Sequence, residues 1–157
     1  MGTKVTPYSN EASKKEQVAE MFDNIAHSYD FLNHFFSLGI DKLWRKKAIN
    51  ILKKENPGSI LDVATGTGDF ALQSIKNGLP STGKITGLDI SNGMLEVGRK
   101  KITKKNLSDR IDMVQGDSEN MPFEDDTFDA TMVAFGVRNF QNLKLGLQDM
   151  YRVIKPN

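Results

Sequence analysis

The chain contains no cysteine, which excludes internal disulfides and metal sites built on thiolates. Its two histidines, His27 and His34, do not form a metal-ligand pattern with other residues, so we expect no metal site. No apolar run approaches the ~20 residues that span a bilayer. Residues 1–11 also lack the apolar stretch of a signal peptide. We therefore expect a cytoplasmic protein.

Neither sign of charge is in excess, since 21 lysines and arginines face 20 aspartates and glutamates. Proteins that bind nucleic acid usually carry a basic surplus on the binding domain. The formal net charge of +1 therefore gives no reason to expect a nucleic-acid partner. With 157 residues, of which 38% are hydrophobic, the chain is typical of a single globular domain with a real core.

The N-terminal third of the sequence is predicted to be helical. Residues 1–10 are polar and are expected to pack loosely. Apolar residues at helical spacing predict a helix over 11–26. A second helix is predicted over 41–54 with five residues facing inward, namely Leu43, Trp44, Ala48, Ile51 and Leu52. Six residues in and after the first helix either pack on a sheet or form a lid or membrane-surface face: Phe22, Ile25, Phe31, Leu32, Phe35 and Phe36.

From residue 57 onward, strand and helix patterns alternate. Apolar runs bounded by turn residues predict four strands, over 59–64, 84–89, 111–115 and 129–135. Helices are predicted over 69–77, over 92–105 with Ser91 as N-cap, and around Leu143, Leu147, Met150 and Ile154. This alternation predicts a Rossmann-like α/β fold, with a mostly parallel sheet and helices on both faces. We accordingly divide the chain into an N-terminal helical lid or extension, 1–56, and an α/β domain, 57–157.

The first predicted strand runs into a glycine turn and then a helix, with the sequence LDVATGTGD over 61–69. Glycine lacks a Cβ, so the backbone can approach a ligand closely. The spacing of Gly66, Gly68 and Ala71 also fits the dinucleotide fingerprint, which makes an NAD-dependent oxidoreductase the main alternative. Asp89 ends the second strand and does not separate the alternatives, because an acid there binds ribose hydroxyls in either class.

Two other acids favour S-adenosylmethionine over a dinucleotide. Asp62 lies inside the first strand, where a buried acid needs donors. The α-ammonium group of adenosylmethionine would supply them, whereas a pyrophosphate would be repelled. Asp117 follows the third strand, at the end where ligands bind, and can accept a hydrogen bond from an adenine amino group.

With these residues in order, the sequence resembles the class I methyltransferases over 59–156. The segment DTFDATMVAF, 126–135, matches the fourth strand of that family. The segment YRVIKP, 151–156, matches the stretch before its fifth strand, with Asn157 in the place of a glycine.

Two further segments are similar to the UbiE/MenG family: YDFLN over 29–33, with Ser37 and Trp44, and FGVRN over 135–139. Asp41 stands where that family often has histidine, and Ala64 replaces the first glycine of the turn.

This resemblance implies C-methylation of a reduced polyprenyl quinone with S-adenosyl-L-methionine as methyl donor. We expect demethylmenaquinol as the substrate. The alternatives are 2-polyprenyl-6-methoxy-1,4-benzoquinol, another small molecule, or a non-enzymatic adenosylmethionine-binding module. Together with the glycine turn, the resemblance assigns cofactor binding to Asp62, Thr65, Gly66, Thr67, Gly68, Asp89, Ile90, Asp117, Ser118 and Ala134.

The substrate side falls on Tyr29, Arg138 and Asn139 by the same resemblance. A sulfonium methyl group is already activated, so the site must mainly hold the ring carbon in line with the C–S bond. We expect Arg138 to stabilise the quinol oxyanion, and Tyr29 and Asn139 to orient a water that takes the ring proton. A lipid-like substrate also implies transient contact with the inner membrane surface.

The resemblance further implies a seven-stranded sheet of order 3-2-1-4-5-7-6, of which this chain supplies four strands. We therefore expect a fragment of a longer protein, in which the strand over 129–135 lies at an edge. An apolar edge with unpaired backbone groups invites pairing with another chain. Expressed alone, these residues are expected to self-associate or to be poorly stable, and to transfer little methyl.

The acids around the glycine turn generate the first testable prediction. The chain should bind adenosylmethionine or adenosylhomocysteine, and it should not bind NAD. Isothermal titration calorimetry with each ligand measures both affinities. NAD binding tighter than adenosylhomocysteine would contradict the methyltransferase interpretation.

Overall fold

The structure, a computed structural model, describes residues 13–37, 40–79 and 82–156, but not the side chains of 31–37, 41 and 42. The loose packing predicted for residues 1–10 lies outside the described residues. The side chains of Phe31, Leu32, Phe35 and Phe36, predicted to form part of a lid or core face, also lie outside them.

Helix α1 covers Lys14–Ser37, and α2 covers Ile40–Leu52, followed by a 3₁₀ turn at Lys53–Glu55. Strands and helices then alternate: β1 (Ser59–Val63), α3 (Asp69–Lys76), β2 (Lys84–Asp89), α4 (Asn92–Lys104), β3 (Ile111–Gln115) and β4 (Ala130–Val133). A 3₁₀ turn at Gly136–Asn139 leads to α5 (Leu143–Arg152). Within the described ranges, no helix is both long enough and apolar enough to cross a bilayer.

The four described strands are parallel and lie in the order β3-β2-β1-β4. This arrangement confirms the Rossmann-like α/β fold and matches the first four positions of the predicted strand order. Side chains of the central strand β1 alternate between two cores. Ile60 packs with α3 and α4 on one face, whereas Leu61 and Val63 pack with α5 on the other. Helices therefore cover both faces as predicted, and β4 lies at one edge of the described sheet.

Helix α1 is longer than predicted, because it runs through the aromatic stretch and ends at Ser37 instead of residue 26. No glycine or proline interrupts residues 27–37, so nothing in the local sequence stops the helix. The predicted strand over 129–135 is in turn too long. It ends at Val133, and Phe135 adopts a left-handed backbone with φ of 65° that a strand does not accommodate.

The predicted inward face of α2 is wrong for four of its five residues. Leu43, Trp44 and Ile51 are 63%, 66% and 67% exposed, and Ala48 is exposed as well. Leu52 is half-buried and packs against the core, as predicted. The helix instead buries Arg45 and Ile49. Helix α2 carries two stripes of residues at helical spacing, one with Leu43, Trp44 and Ile51 and the other with Arg45 and Ile49, and only one of them can face the sheet. The Asp69 carboxylate lies 3.5 Å from the Arg45 Nη1, and this ion pair orients the arginine towards the sheet. Ile49 lies one turn further along the same side of the helix and packs in the core.

Asp129 ties the amino ends of β1 and β4 together. Its Oδ2 accepts hydrogen bonds from the N–H groups of Gly58 and Ser59, at 2.8 and 2.7 Å. Its Oδ1 accepts from the Lys155 ammonium at 2.7 Å. The Lys155 ammonium, together with the backbone donors, lowers the pKa of Asp129 to about 2.

This lowered pKa predicts a specific acid sensitivity. Ionised Asp129 stabilises the fold above its ordinary pKa of 3.8, and this contribution is lost as pH falls from there towards about 2. The Asp129→Ala variant should be less stable at pH 7 and should lose less stability on acidification than the original chain. Urea unfolding between pH 7 and pH 3 measures this, with Asp109→Ala, which removes another exposed carboxylate, as the control. Parallel pH dependence in Asp129→Ala and the original chain would show that Asp129 has no such role.

Candidate functional site

The carboxyl ends of the strands open into a cleft that α1 covers from above. The cleft encloses a cavity of about 80 Å³ and opens to solvent at its mouth. Nine of the predicted site residues line it: Tyr29, Gly66, Asp89, Ile90, Asp117, Ser118, Ala134, Arg138 and Asn139. The fold thus brings together residues that lie far apart in the sequence.

A second, smaller cavity lies beside this cleft and contains three other predicted residues, Asp62, Thr65 and Thr67. Tyr29, Gly66 and Ala134 line both spaces, so the two are adjacent. The remaining predicted residue, Gly68, precedes α3 with φ of 75° and shapes the turn. The cofactor residues predicted as one set are therefore divided between two neighbouring spaces and the turn itself.

The turn after β1 is built from left-handed backbone conformations. Gly66 has φ of 58°, and no atom lies within 4 Å of the position that a Cβ would take. Its backbone is therefore open to the cleft, as a ligand cradle requires. Ala64, in the place of a glycine, also has φ of 52°. The Ala64 Cβ lies so near Gly136 that a side chain at position 136 would clash with it. The loops after β1 and β4 are therefore in direct contact.

Asp89 lies at the end of β2, only 9% exposed, and faces the cleft. Its Oδ2 accepts from the Gly66 N–H at 2.7 Å, and its Oδ1 accepts from the Ser91 N–H at 2.9 Å. Burial raises the pKa of Asp89, and these backbone donors oppose that rise. A carboxylate has about four acceptor positions, so two hydroxyl groups of a ligand can still donate to it.

Asp62 is 1% exposed within β1, and its Oδ2 accepts from the Thr65 hydroxyl at 2.6 Å. Burial raises its pKa to about 7, against the effects of the Thr65 hydroxyl and the nearby Arg45. A cationic group entering the smaller cavity would satisfy this carboxylate and lower its pKa. Arg45 already lines this cavity, and the binding of a ligand ammonium group at Asp62 stays a prediction.

Asp117 and Thr67 already have protein partners. The Asp117 Oδ2 accepts from the Lys15 ammonium at 2.6 Å, and its Oδ1 accepts from the Glu119 N–H at 2.9 Å. The Thr67 hydroxyl donates to Asp30 of α1. Thr67 is buried and lines the smaller cavity, not the main cleft.

Polar contacts that fasten α1 over the cleft were not foreseen from the sequence. Asp23 accepts from the Ser91 hydroxyl and, at 2.8 Å, from the Gly93 N–H at the start of α4. Asp30 accepts from the Lys101 ammonium at 2.6 Å. A repeat in the sequence does indicate which side of α1 faces the cleft. Lys15, Phe22 and Tyr29 repeat at intervals of seven, and this helical stripe is the one that lines the cleft.

The three residues predicted for the substrate side meet at the cleft. Tyr29 projects from α1, and its ring packs edge-on against Phe22 with the centroids 5.8 Å apart. Burial raises the pKa of Tyr29, partly offset by the positive charge of Arg138. Arg138 and Asn139 belong to the 3₁₀ turn that follows β4. A neutral phenol, an amide and a guanidinium therefore all line the cleft.

Comparison with known proteins gives a consistent family. The model of the ubiE/COQ5 methyltransferase family matches residues 10–157. Demethylmenaquinone methyltransferase of Bacteroides fragilis is 53% identical over 97% of the chain and 61% of its own length. The ubiquinone/menaquinone biosynthesis C-methyltransferase UbiE of Geotalea daltonii is 48% identical over 91% of the chain and 60% of its own length. The chain thus spans about three fifths of the relatives that it matches.

Solved structures share the fold. The [4+2]-cyclase SpnF superposes with a TM-score of 0.76 at 22% identity, over 92% of this chain and 58% of its own. A SAM-dependent methyltransferase of Aquifex aeolicus superposes with a TM-score of 0.60 at 24% identity, over 68% of this chain and 57% of its own. Because a cyclase and a methyltransferase both have this fold, the fold alone does not identify the reaction.

The Asp30–Lys101 contact generates a prediction about the cover of the cleft. Lys101→Ala should loosen α1, because Asp30 loses its ammonium partner. A loss of ~1 kcal/mol, the upper value for a partly exposed pair, corresponds to about fivefold faster amide exchange in α1. Hydrogen exchange with mass spectrometry measures this. The neighbouring Lys100→Ala, which removes an exposed lysine of α4, is the matched control. Equal exchange of α1 in both variants would mean that the contact does not hold the helix.

Proposed function

The chain belongs to the ubiE/COQ5 methyltransferase family, and we propose that it forms the cofactor-binding part of an S-adenosylmethionine-dependent C-methyltransferase. Its proposed substrate is a reduced polyprenyl quinone, with demethylmenaquinol as the first candidate. The observation that carries the proposal is the cleft itself, which Gly66, Asp89, Tyr29 and Arg138 line together. The 53% identity to a protein named demethylmenaquinone methyltransferase supports the choice of quinol.

The donors and acceptors of the site fit adenosylmethionine. Asp89 would accept from the ribose hydroxyls, and the open backbone of Gly66 allows the ligand to lie close to the turn. Asp62 and Thr65 would receive the α-ammonium group in the smaller cavity. Asp117 would accept from the adenine amino group, with Ile90, Ser118 and Ala134 forming further parts of the wall. The bound cofactor supplies an electrophilic methyl group on a sulfonium.

The other residues of the cleft would activate the quinol ring and assist removal of its proton. The quinol would lose a phenolic proton to solvent water, and the phenolate so formed makes the neighbouring ring carbon electron-rich. The fixed positive charge of Arg138 would stabilise that oxyanion. Tyr29 remains protonated, because burial raises its pKa, and it can therefore orient a water by donating to it. Asn139 would accept from the same water, which takes the ring proton. The apolar side chains of Val18, Phe22 and Leu88 would exclude other water.

The proposal also covers the roles of the two parts of the chain, its location and its assembly. Residues 1–56 would act as the lid and 57–157 as the cofactor-binding domain. The protein would work in the cytoplasm, with peripheral contact at the inner membrane surface, and homo-oligomerisation is part of the same proposal. A benzoquinol is the second candidate substrate, since the UbiE relatives carry both quinones in their names. The family match leaves the dinucleotide alternative without support.

Two variants should separate cofactor binding from chemistry. Asp89→Ala should weaken adenosylhomocysteine binding by about ten- to a hundredfold, because a charge-assisted hydrogen bond contributes roughly 1.5–3 kcal/mol. Arg138→Ala, in a protein that carries the full length of the relatives, should lower turnover and leave cofactor affinity nearly unchanged. Calorimetry and transfer of labelled methyl to demethylmenaquinol measure the two effects.

Asp112→Ala, which removes an exposed acid from β3, is the matched control for Asp89. Thermal unfolding of each variant checks that it folds. Unchanged affinity in folded Asp89→Ala would refute the cofactor assignment. Equal loss of affinity and turnover in Arg138→Ala would make that residue structural, and absence of methyl transfer by the original protein would refute the reaction.

A further inference from the structure

The outer side of α2 presents an apolar surface to solvent. Ile40, Leu43, Trp44 and Ile51 are 52%, 63%, 66% and 67% exposed, and these four residues are called the α2 surface below. At 3.6 residues per turn, they fall within an arc of about 100° on the helix. Single exposed apolar residues are ordinary, whereas a contiguous group that includes a tryptophan marks a binding surface.

The charge around this surface indicates what it binds. Residues 40–55 contain six basic and two acidic residues, although the whole chain has a formal net charge of only +1. Lys46 and Lys47 are exposed on α2 itself. Helix α5 also exposes apolar residues, but Leu143–Arg152 contains only two basic residues and one acid. Without the buried Arg45, residues 40–55 still carry a surplus of three positive charges, against a surplus of one for α5. The α2 surface therefore combines apolar side chains with the larger local positive surplus.

The α2 surface also lies close to the site. Arg45 projects from the opposite side of the same helix and lines the smaller cavity together with Tyr29. A helix with its side chains is about 10–12 Å across, so the surface and the cavity are about one helix diameter apart. Phe135 lines both cavities and is itself 46% exposed.

We propose that the α2 surface docks on an anionic lipid bilayer. Trp44, Leu43 and Ile51 would enter the interface, where tryptophan is favoured, and Lys46 and Lys47 would meet the headgroups. Docking in this way would hold the cleft beside the membrane from which a polyprenyl substrate comes. The biological role of this docking rests on the proposed function, because it assumes a membrane-borne substrate. Docking itself can be measured without methyl transfer.

Trp44 is the only tryptophan of the chain, so its fluorescence reports on the α2 surface alone. Vesicles containing phosphatidylglycerol should shift its emission to shorter wavelength and protect it from acrylamide. Pure phosphatidylcholine vesicles should do so much less, and 0.5 M salt should weaken the effect of the anionic vesicles. No emission shift with anionic vesicles would overturn docking, and methyl transfer would remain testable separately.

Matched variants locate the surface. Replacing Lys46 and Lys47 together by glutamine should weaken vesicle binding by roughly tenfold or more, since each lysine near an anionic surface contributes ~1 kcal/mol. Leu43→Ala should also weaken it, by at least about fivefold. Leu147→Ala, on α5 and 48% exposed, should bind like the original chain.

Two outcomes would overturn the assignment to α2. Equal effects of Leu43→Ala and Leu147→Ala would place the contact elsewhere. A second copy of the chain would cover the surface if the Trp44 emission were already at short wavelength without lipid. In that case Leu43→Glu should convert an oligomer to a monomer in light scattering and move the emission to longer wavelength.

Discussion

The carboxylate of Asp89 holds together three segments that are separate in the sequence. It ends β2, fixes the Gly66 turn after β1 through one oxygen, and fixes Ser91 at the start of α4 through the other. Ser91 in turn caps α4 and donates its hydroxyl to Asp23 of α1. The floor of the cleft and one attachment of its cover therefore depend on the same buried acid. This arrangement needs an acid at the end of β2 and glycine at the turn, because a side chain on Gly66 would be strained at its φ of 58°.

The buried acids also determine which kind of ligand the site accepts. Asp62 and Asp89 are both buried at neighbouring strand ends, and each burial disfavours the charged form. Arg45 approaches Asp62 from the smaller cavity. In the main cleft Lys15 pairs with Asp117 and Glu119, and Arg138 lines the cleft as well, so among the described residues Asp89 is the acid there without a cationic side chain bonded to it. A ligand with hydroxyl and ammonium donors satisfies such a site, whereas a pyrophosphate would meet acids close to the turn. The electrostatics thus agree with adenosylmethionine in a fold that also serves other chemistry.

The sequence predicted the α/β part well because its signals are local. The apolar runs of β2 and β3 are bounded by turn residues, and both strands have the predicted ends. Ser91 caps α4 as its residue type indicates. The N-terminal helices were predicted less well. Which stripe of α2 turns inward depends on Asp69, a residue distant in sequence, and the polar attachments of α1 join residues up to 126 positions apart. The site residues could be listed from motifs, but their division between two cavities depends on how α1 and α2 pack.

The central claim is that the cleft around Asp89 and Gly66 binds the adenosine cofactor beneath α1. Titrating ¹⁵N-labelled chain with adenosylhomocysteine and following the amide resonances tests this directly. The account predicts saturable shifts that are largest at Gly66, Ile90 and Ser118, with smaller shifts along α1 at Phe22 and Tyr29. Saturable shifts centred instead on α5 or on the amino ends of the strands, or no shifts at all, would contradict it.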